Sequence, residues 1–466
     1  MTPKSETKVL VFSLFATVGL VGSGIWGFSN SSKQDLNGLM PLDNNQTSSV
    51  SRPENISLGD KILVTADTNI DKEAGVQAFA KGDSGTASIK FLASLQANRN
   101  DPEALIYLNN AQVANSSPLK IAVSVPIGGN LDVAKEILRG VAMAQDEVNR
   151  SGDIKLQVEI ANDNNDPAIA QQVATNFVKD TNILAVVGHN ASNASIAAAP
   201  VYQQGGLVMI SPTSFARNLS GIGTYVFRTV PSIRFVADSV SSYTIKTARK
   251  TNIVICADSK SIDTKSFEEE FTDGILAAGG KINPTPCDLS AADFNPSVLV
   301  SKAISSGADG LVLAPHIDKI DKALEVARAN QGRMALFGSP TLYTFKTLQS
   351  GQGDVNGIVL AVTWHPAAIS GNPFPSNAAK LWGGAVNWRT ATAYDATKAI
   401  IAGLKQGNNS RDGLQKALSS PRFSASGATG TIQFLPSGDR NGTAMLVKAQ
   451  PSTQSPSGYD FVPLRP

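Results

Sequence analysis

The stretch AVVGHNASNASIAAAPVYQQGGLVMISPTS, residues 185–214, contains two short apolar runs, and small hydroxyl and amide residues follow each run at once. Apolar runs of this length, separated by a helical segment, are typical of strands buried on both faces of a parallel sheet. In such a sheet, ligands bind beyond the carboxyl ends of the strands. The stretch therefore predicts an α/β fold with a binding site where these two strands end.

The composition of the whole chain excludes several classes of protein. Its 466 residues are too many for one ordinary domain. The 40 basic and 38 acidic residues nearly balance, whereas a nucleic-acid-binding protein needs a concentrated basic face. Two cysteines are too few for a disulfide-dense scaffold or a cysteine-rich metal site. We therefore expect a protein of more than one domain that does not bind nucleic acid.

The N-terminal residues 1–28 predict a membrane anchor. Lys4 and Lys8 precede an uncharged apolar run, Val9 to Phe28, which has about the 20 residues that a membrane-spanning helix needs. Lysines on the N-terminal side favour an orientation with the N-terminus in the cytoplasm. A cleaved signal peptide is the alternative, although the apolar core of such a peptide is usually shorter. In both cases the rest of the chain is predicted to lie outside the cytoplasm.

Two further segments precede the α/β part. Residues 29–60 are rich in Ser, Asn, Asp and Pro, which predicts a polar linker. Residues 61–115 contain three helical patterns, in which Gly75, Ala87 and Phe91 have the spacing of a tetratricopeptide repeat. Because a lone repeat cannot bury its own core, we expect a small helical cap or spacer here. A partner-binding surface is the alternative.

From residue 118 onward, short apolar runs alternate with helical patterns. LKIAVSVPI, residues 119–127, predicts a strand, and AKEILRGVAMAQDEVNRSG, residues 134–152, predicts an amphipathic helix that ends near a glycine. Alternation of this kind indicates a parallel sheet. The units are too many for one sheet of five or six strands, so the sequence predicts two similar α/β lobes.

Polar residues follow most of the predicted strands. Eight of them are predicted to bind a ligand: Ser192, Asn193, Ser211, Thr213, Ser214, His316, Thr341 and Tyr343. Six more are predicted cleft residues: Gly128, His189, Phe215, Asp258, Asp318 and His365. A Ser/Asn cluster at a helix N-terminus suits a carboxylate, because it combines hydroxyls, amides and unpaired backbone N–H groups. Plain helix capping by Ser192 or Asn193 is the alternative, and two such clusters on adjacent strands favour ligand binding.

The sequence lacks the local signatures of metal sites and catalytic centres. The three histidines show no His-x-His or His-Glu-x-x-His spacing and fall in both predicted lobes, so we predict hydrogen-bonding residues and no metal or cofactor. There is no Gly-x-Ser-x-Gly elbow and no Walker loop, and Gly128-Gly129 is not a dinucleotide fingerprint. We predict that the protein is not an enzyme; a hydrolase that uses cleft serine and histidine is the alternative.

Six motifs carry a resemblance to a known family. They are PIGGNLDVAKEILRGVAMAQDEVN, IANDNNDPAIAQQVATNFV, the opening stretch 185–214, VFRTVP, WRTATAYDATKAIIAGL and GATGTIQFLPSGDRNG. In this order they resemble the type I periplasmic binding proteins, and within them the leucine/isoleucine/valine-binding receptors of ABC transporters. The resemblance covers about residues 118–450. The anchor and repeat-like segment in front of it resemble a cyanobacterial arrangement.

The resemblance implies two Rossmann-like lobes that exchange strands through three crossovers and close about a hinge on a ligand between them. Lobe one would contain about 118–240 and 366–420, and lobe two about 241–365 and 421–450. Residues 451–466 would then be a C-terminal tail. Cys256 and Cys287 close successive strands of the predicted lobe two. Neighbouring strands in an oxidising compartment can form a disulfide, and two separate buried thiols are the alternative.

The resemblance also implies how a ligand is held, and this chain departs from the family pattern at three places. Ser192 and Thr213 would hold the α-carboxylate or α-amino group of an amino acid. Phe215 replaces a small hydroxyl residue, and His316 replaces an aromatic one. The acidic partner of the ligand ammonium would fall near residue 340 or 341, where neither residue is acidic. An unpaired buried charge is costly, so the acid is expected from another position: Asp258, Asp318 or the acidic loop 162–166.

The function predicted from the sequence is an extracytoplasmic, membrane-anchored receptor for a small polar ligand, most readily an amino acid. The receptor would present its closed form to an ABC permease or to a signalling partner. A ligand sensor coupled to a signalling partner is one alternative. A scaffold that has lost its ligand, with the helical segment as its working surface, is another.

Overall fold

The computed structural model describes residues 52–152 and 154–464. The predicted anchor, residues 1–28, and residues 29–51 of the predicted linker lie outside that part. None of the helices within it has the length and apolar character needed to cross a membrane. The described chain forms a helical segment, two large sheets and a small hairpin.

The helical segment lies directly in front of the first α/β unit. Its helices are α1 (Ile70–Ala80), α2 (Ser84–Ala97) and α3 (Pro102–Val113). Each begins at a side chain that caps it: Asn69, Asp83 and Asp101 accept a hydrogen bond from a backbone N–H of the first turn. Helices α1 and α2 pack closely because Gly75 leaves room for a ring; a Cβ there would come within 2.7 Å of the Phe91 ring.

The first sheet has six strands in the order β1-β3-β2-β4-β5-β6. The strands are β1 (Ile56–Ser57), β2 (Leu119–Val125), β3 (Leu156–Asn162), β4 (Ile183–Val187), β5 (Val208–Ser211) and β6 (Val226–Arg228). All pairs are parallel except β1 with β3. The helices α4 (Leu131–Ser151), α5 (Pro167–Lys179) and α6 (Ser192–Gln204) connect strands β2 to β5. The parallel α/β lobe is therefore present, and β1 extends it from within the predicted linker.

The second sheet has seven strands in the order β15-β14-β11-β10-β9-β7-β8. They are β7 (Asn252–Ala257), β8 (Lys281–Ile282), β9 (Gly310–Ala314), β10 (Ala335–Gly338), β11 (Val359–Val362), β14 (Met445–Pro451) and β15 (Tyr459–Pro463). Its helices are α7 (Ile233–Ser242), α8 (Ile262–Ala277), α9 (Pro296–Ser305), α10 (Ile320–Asn330) and α11 (Phe345–Gly351). Cys256 in β7 and Cys287 are joined by a disulfide across a sequence separation of 31.

The chain crosses between the sheets three times: after β6, after β11 and before β14. The remaining elements are α12 (Phe374–Trp382), α13 (Trp388–Gln406), α14 (Arg411–Leu418) and the hairpin strands β12 (Ala425–Gly427) and β13 (Gly430–Ile432). Helix α13 packs on α4, and the loop of the hairpin bonds to α13 because Ala428 N donates to Asp395 Oδ1 at 2.5 Å. The hairpin, which the sequence assigned to lobe two, thus contacts a helix of the first lobe.

Two other boundaries differ from the sequence-based expectation. Helix α7 packs on α8, although the expected end of lobe one lay near residue 240. The expected tail, 451–466, contains strand β15, whose residues pair antiparallel with β14. The alternating side chains of YDFVP account for this strand, because Phe461 is buried while Asp460 beside it is exposed.

The helical segment covers the edge of the first sheet. Asn110 in α3 is fully buried, and its side-chain amide donates to the carbonyls of Leu58, at 2.9 Å, and Val158, at 2.7 Å. Its Oδ1 accepts from Val158 N and from Gln145 Nε2, both at 2.8 Å. A sheet edge otherwise exposes unpaired backbone groups. The segment is thus an integral cap of this lobe, and the tetratricopeptide likeness remains a prediction.

A buried ion triad fixes the helical segment internally. Lys72 Nζ lies 2.8 Å from Asp101 Oδ2 and 2.8 Å from Glu103 Oε2, and all three side chains are fully buried. Burial alone lowers the pKa of Lys72, but the charges of Glu103 and Asp101 outweigh it and raise that pKa. The Glu103 carboxylate also accepts from the backbone N–H of Leu63 at 2.8 Å. The triad therefore holds the chain that leads from β1 against helices α1 and α3.

Candidate functional site

A small cavity lies where the carboxyl ends of the two sheets face each other. Its volume is about 30 Å³, which is room for one or two waters. The first lobe and α13 line it with Asn190, Ala191, Ser192, Thr213, Phe215, Trp388 and Arg389, and the second lobe with Asp263, His316, Ile317 and Thr341. Five of the predicted residues therefore meet here: Ser192, Thr213, Phe215, His316 and Thr341.

The first-lobe side of the cavity has two hydroxyls, and they differ in whether a donor or an acceptor remains free for a ligand. Ser192 is the first residue of α6, and its Oγ accepts a hydrogen bond from Ala216 N at 3.2 Å. Its proton is therefore available to a ligand. Thr213 Oγ1 donates to Asn190 O at 2.9 Å, which leaves its lone pairs available. No side chain caps α6, so plain helix capping does not account for Ser192.

The predicted residues Ser211, Ser214 and His189 support the site from behind. Ser211 Oγ donates to His189 O at 2.8 Å, and Ser214 Oγ lies 2.7 Å from Ser195 Oγ. His189 is fully buried, with Nδ1 2.6 Å from Asp163 Oδ2 and Nε2 3.1 Å from a tyrosine hydroxyl. The sequence predicts that these three residues bind the ligand or line the cleft. In the structure they are buried and absent from the lining of the cavity, and their polar atoms bond to backbone carbonyls and side chains.

The second-lobe side of the cavity combines an imidazole with carboxylates. His316 Nδ1 lies 3.3 Å from Asp318 Oδ2. Burial lowers the pKa of His316, but the hydrogen bond to Asp318 and the charges of Asp263, Asp318 and Asp258 outweigh it and raise that pKa. Asp263 lines the cavity and is hydrogen-bonded to the Ser261 hydroxyl. Asp263 was missed from the sequence because it stands in the first turn of a helix, where acidic residues are common.

The remaining predicted residues are not part of the lining of the cavity. Asn193 Oδ1 accepts from Ile262 N of the second lobe at 3.3 Å, so it joins the two lobes. Gly128 N donates to Asn162 Oδ1, and Asp258 Oδ1 accepts from Lys260 N, so both stabilise loops. Tyr343 packs on Phe461, and His365 Nε2 lies 2.9 Å from Phe461 O. Asp318 lines the neighbouring groove.

The three histidines lie at three different places in the lobes. In the described residues, no three histidine, cysteine or acidic side chains are grouped as a metal site would require. The ring nitrogens of His189 and His365 contact Asp163, Tyr202 and the carbonyl of Phe461. His316 is the histidine that lines the cavity.

Arg389, which the sequence did not single out, reaches the cavity from the first turn of α13. It is 5% exposed, and its Nε has no hydrogen-bond partner. Burial lowers the pKa of Arg389 to about 10, with the charge of Glu136 opposing that shift. The guanidinium therefore stays protonated at neutral pH. Its Cζ lies 4.5 Å from the centre of the Trp388 ring, which in turn packs on Phe215 at 5.8 Å between ring centres.

A larger groove opens next to the cavity. Its volume is about 890 Å³, and Ile317 and Arg389 line both spaces. The other groove residues are mostly polar or charged: Asn100, Asn130, Asp132, Lys135, Glu136, Arg139, Asp318, Thr344, Lys346, Gln349, Ser350 and Asn387. Arg389 therefore stands between the cavity and a polar groove.

Comparisons with known proteins agree with this architecture. A family model described as "Periplasmic binding protein" matches residues 118–452. The "Leucine-, isoleucine-, valine-, threonine-, and alanine-binding protein" of Pseudomonas aeruginosa is 24% identical over 55% of this chain and 68% of its own. The "Leu/Ile/Val-binding protein" of Escherichia coli is 24% identical over 65% of this chain and 84% of its own. The crystal structure of a leucine-binding protein from Thermotoga maritima superposes with a TM-score of 0.66 at 17% identity, over 75% of this chain and 99% of that one.

Proposed function

Because the chain belongs to the periplasmic binding protein family, we propose that it is an extracytoplasmic receptor that traps an amino acid between its lobes for an ABC-type transporter. The observation that carries this proposal is the cavity itself. The hydroxyls of Ser192 and Thr213 face His316 and Asp263 across the interface between the lobes. Hydroxyls on one side and a carboxylate on the other suit the polar groups of an amino acid.

Asp263 is our candidate for the acidic residue that the sequence left unassigned. The expected acid near residue 340 is missing, and a ligand ammonium needs a counter-charge in a buried site. Asp263 lines the cavity, whereas Asp258 lies outside its lining and Asp318 lines the groove. We assign Asp263 as the partner of the ligand ammonium.

Ligand entry requires the lobes to separate. A cavity of about 30 Å³ is far smaller than a cavity that holds even benzene, about 150 Å³. The lobes are in contact here, since Asn193 Oδ1 accepts from Ile262 N and Ser266 Oγ accepts from Arg217 N. We propose that the three crossovers form the hinge and that the described conformation is the closed one.

The test is a thermal-shift titration of the full chain against the twenty amino acids. A ligand that binds only the native state raises Tm in a saturable way. We expect Ser192→Ala or Thr213→Ala to lower the affinity for the stabilising ligand by roughly 2- to 10-fold, since each removes one hydrogen bond of about 0.5–1.5 kcal/mol. Thr175→Ala, at a half-buried position of α5 that does not line the cavity, is the matched control. Unchanged binding in both site variants would contradict the proposal.

A scaffold or sensor role is the second candidate, and the crowding of the site favours it. Phe215 and Trp388 occupy space that a small hydroxyl residue would leave open. If no amino acid stabilises the wild-type chain but Phe215→Ser binds one, the Phe215 side chain blocks the ligand site. That result would support the scaffold role.

The membrane anchor and the choice of partner rest on the sequence pattern alone. We propose that residues 1–28 hold the receptor at the inner membrane, because an uncharged apolar run follows two lysines. Membrane fractionation of the full chain, with and without these residues, tests this point.

A further inference from the structure

Arg389 differs from the other buried arginines of the protein. Arg228 Nε lies 2.5 Å from Asp439 Oδ1, and Arg440 is paired with Asp395 at 3.4 Å. The Arg389 side chain has neither a hydrogen bond nor an ion pair to any of the described residues, and its Nε is fully enclosed without a partner. Arg389 is therefore a buried cation that still lacks its anion.

The nearest acidic neighbour does not serve as that anion. Glu136 acts on Arg389 through its charge, but its Oε1 lies 2.5 Å from Arg139 NH1. Its Oε2 accepts from the Thr390 hydroxyl and, at 3.4 Å, from Asn387 N. Both oxygens are thus engaged, and Glu136 lies in the groove rather than in the cavity.

Burying an unpaired charge costs several kcal/mol, so such a group persists where function requires it. The guanidinium lies at the cavity, close to the free hydroxyl of Ser192 and the free lone pairs of Thr213. Its planar fork matches a carboxylate with two parallel hydrogen bonds. The indole of Trp388 under the guanidinium fixes its plane.

We propose that Arg389 binds the carboxylate of the ligand, so that the two lobes hold opposite ends of a zwitterion. Arg389 and Ser192 of the first lobe take the carboxylate, and Asp263 of the second lobe takes the ammonium. This inference rests on the proposed function and specifies its substrate class: an α-amino acid with both charged groups intact. Amides, amines and uncharged solutes are rejected, because each leaves Arg389 or Asp263 buried without a counter-charge.

The test compares each stabilising amino acid with its carboxamide, by calorimetric titration of the full chain and of Arg389→Gln. A hydrogen bond to a charged group contributes about 1.5–3 kcal/mol, which corresponds to roughly 10- to 150-fold in affinity. We expect the affinity of Arg389→Gln for the amino acid to be lower than that of the wild type by this factor. Its affinity for the carboxamide should be no lower than that of the wild type. Lys346→Gln is the matched control; Lys346 lines only the groove and is paired with Asp321, so this variant should bind the amino acid within about threefold of wild type.

Stability without ligand separates a binding role from a structural one. Because Arg389 has no hydrogen-bond or ion-pair partner to lose and its burial as a cation is costly, ligand-free Arg389→Gln should melt at the wild-type temperature or above it. A variant that melts markedly lower or fails to fold would overturn the inference, as would wild-type affinity of Arg389→Gln for the amino acid. In those cases binding by the wild type still upholds the receptor. If no amino acid binds the wild type, the proposed function fails and the inference with it.

Discussion

The protonation of His316 at the cavity is subject to two opposing effects, its burial and the charges of neighbouring carboxylates. His316, Asp263 and Asp318 lie together on the second lobe, and Arg389 faces them from the first. Each carboxylate favours the protonated imidazole, so the charge of His316 depends on its neighbours more than on its own burial. This dependence makes the stability of the closed form sensitive to pH.

The pKa of His316 is raised in the folded protein, so its contribution to stability is fully present below the unfolded value of about 6.5. The contribution is lost as the pH rises through the folded value. We therefore expect the unfolding free energy of wild type, relative to His316→Gln, to fall as the pH increases above about 6.5.

Urea denaturation at several pH values measures this difference. His365→Gln is the control with the opposite sign, because burial lowers the pKa of His365 and its protonation destabilises the fold as the pH falls below about 6.5. If the unfolding free energies of the wild type and His316→Gln change with pH in the same way, His316 is not coupled to these carboxylates.

Secondary-structure elements divide into those the sequence predicts and those it does not. Strands such as β4 and β9 could be predicted, because a strand buried on both faces is a continuous apolar run. The docking of α3 could not be, since Asn110 bonds to carbonyls 48 and 52 residues away and a single amide carries no pattern. Arg389 was missed for the same reason: only the tertiary structure shows that it lacks a partner.

The attachment of helices α1 and α3 depends on Lys72. Lys72→Met leaves Asp101 and Glu103 buried without a counter-charge, which typically destabilises a protein by about 3–5 kcal/mol. We expect a loss of this size in urea-induced unfolding of the full chain. Lys90→Met removes a partly exposed ion pair with Asp71, so it should cost at most about 1 kcal/mol. Equal effects of the two substitutions would refute the structural role of the triad.

At the scale of the whole molecule, binding and lobe closure are one equilibrium. The apparent affinity of a receptor falls with the population of its binding-competent state. Asn193 and Ile262 form a hydrogen bond that exists only when the lobes meet. Contacts between the lobes that do not touch the ligand, such as this one, therefore contribute to its affinity.

Asn193→Ala removes that contact, which is worth about 0.5–1.5 kcal/mol. We expect the affinity for the ligand, measured by calorimetry, to be roughly 2- to 10-fold lower than in the wild type. We also expect a larger radius of gyration at subsaturating ligand, measured by small-angle X-ray scattering. Asn182→Ala, at an exposed position bonded within the first lobe, should change neither quantity. An affinity of Asn193→Ala equal to that of wild type would mean that closure does not depend on this bridge.

The covering of the first sheet by α3 also determines the order of events on the ribosome. Helix α3 ends at Val113, and its partner strand β3 begins only at Leu156. At a synthesis rate of about 5–20 residues per second, the nascent helix waits roughly 2–9 s for that partner. Domains usually fold from the N-terminus onward as they emerge. Here helix α3 can dock only after a strand that is synthesised later, so its apolar face is exposed to chaperones and proteases in the interval.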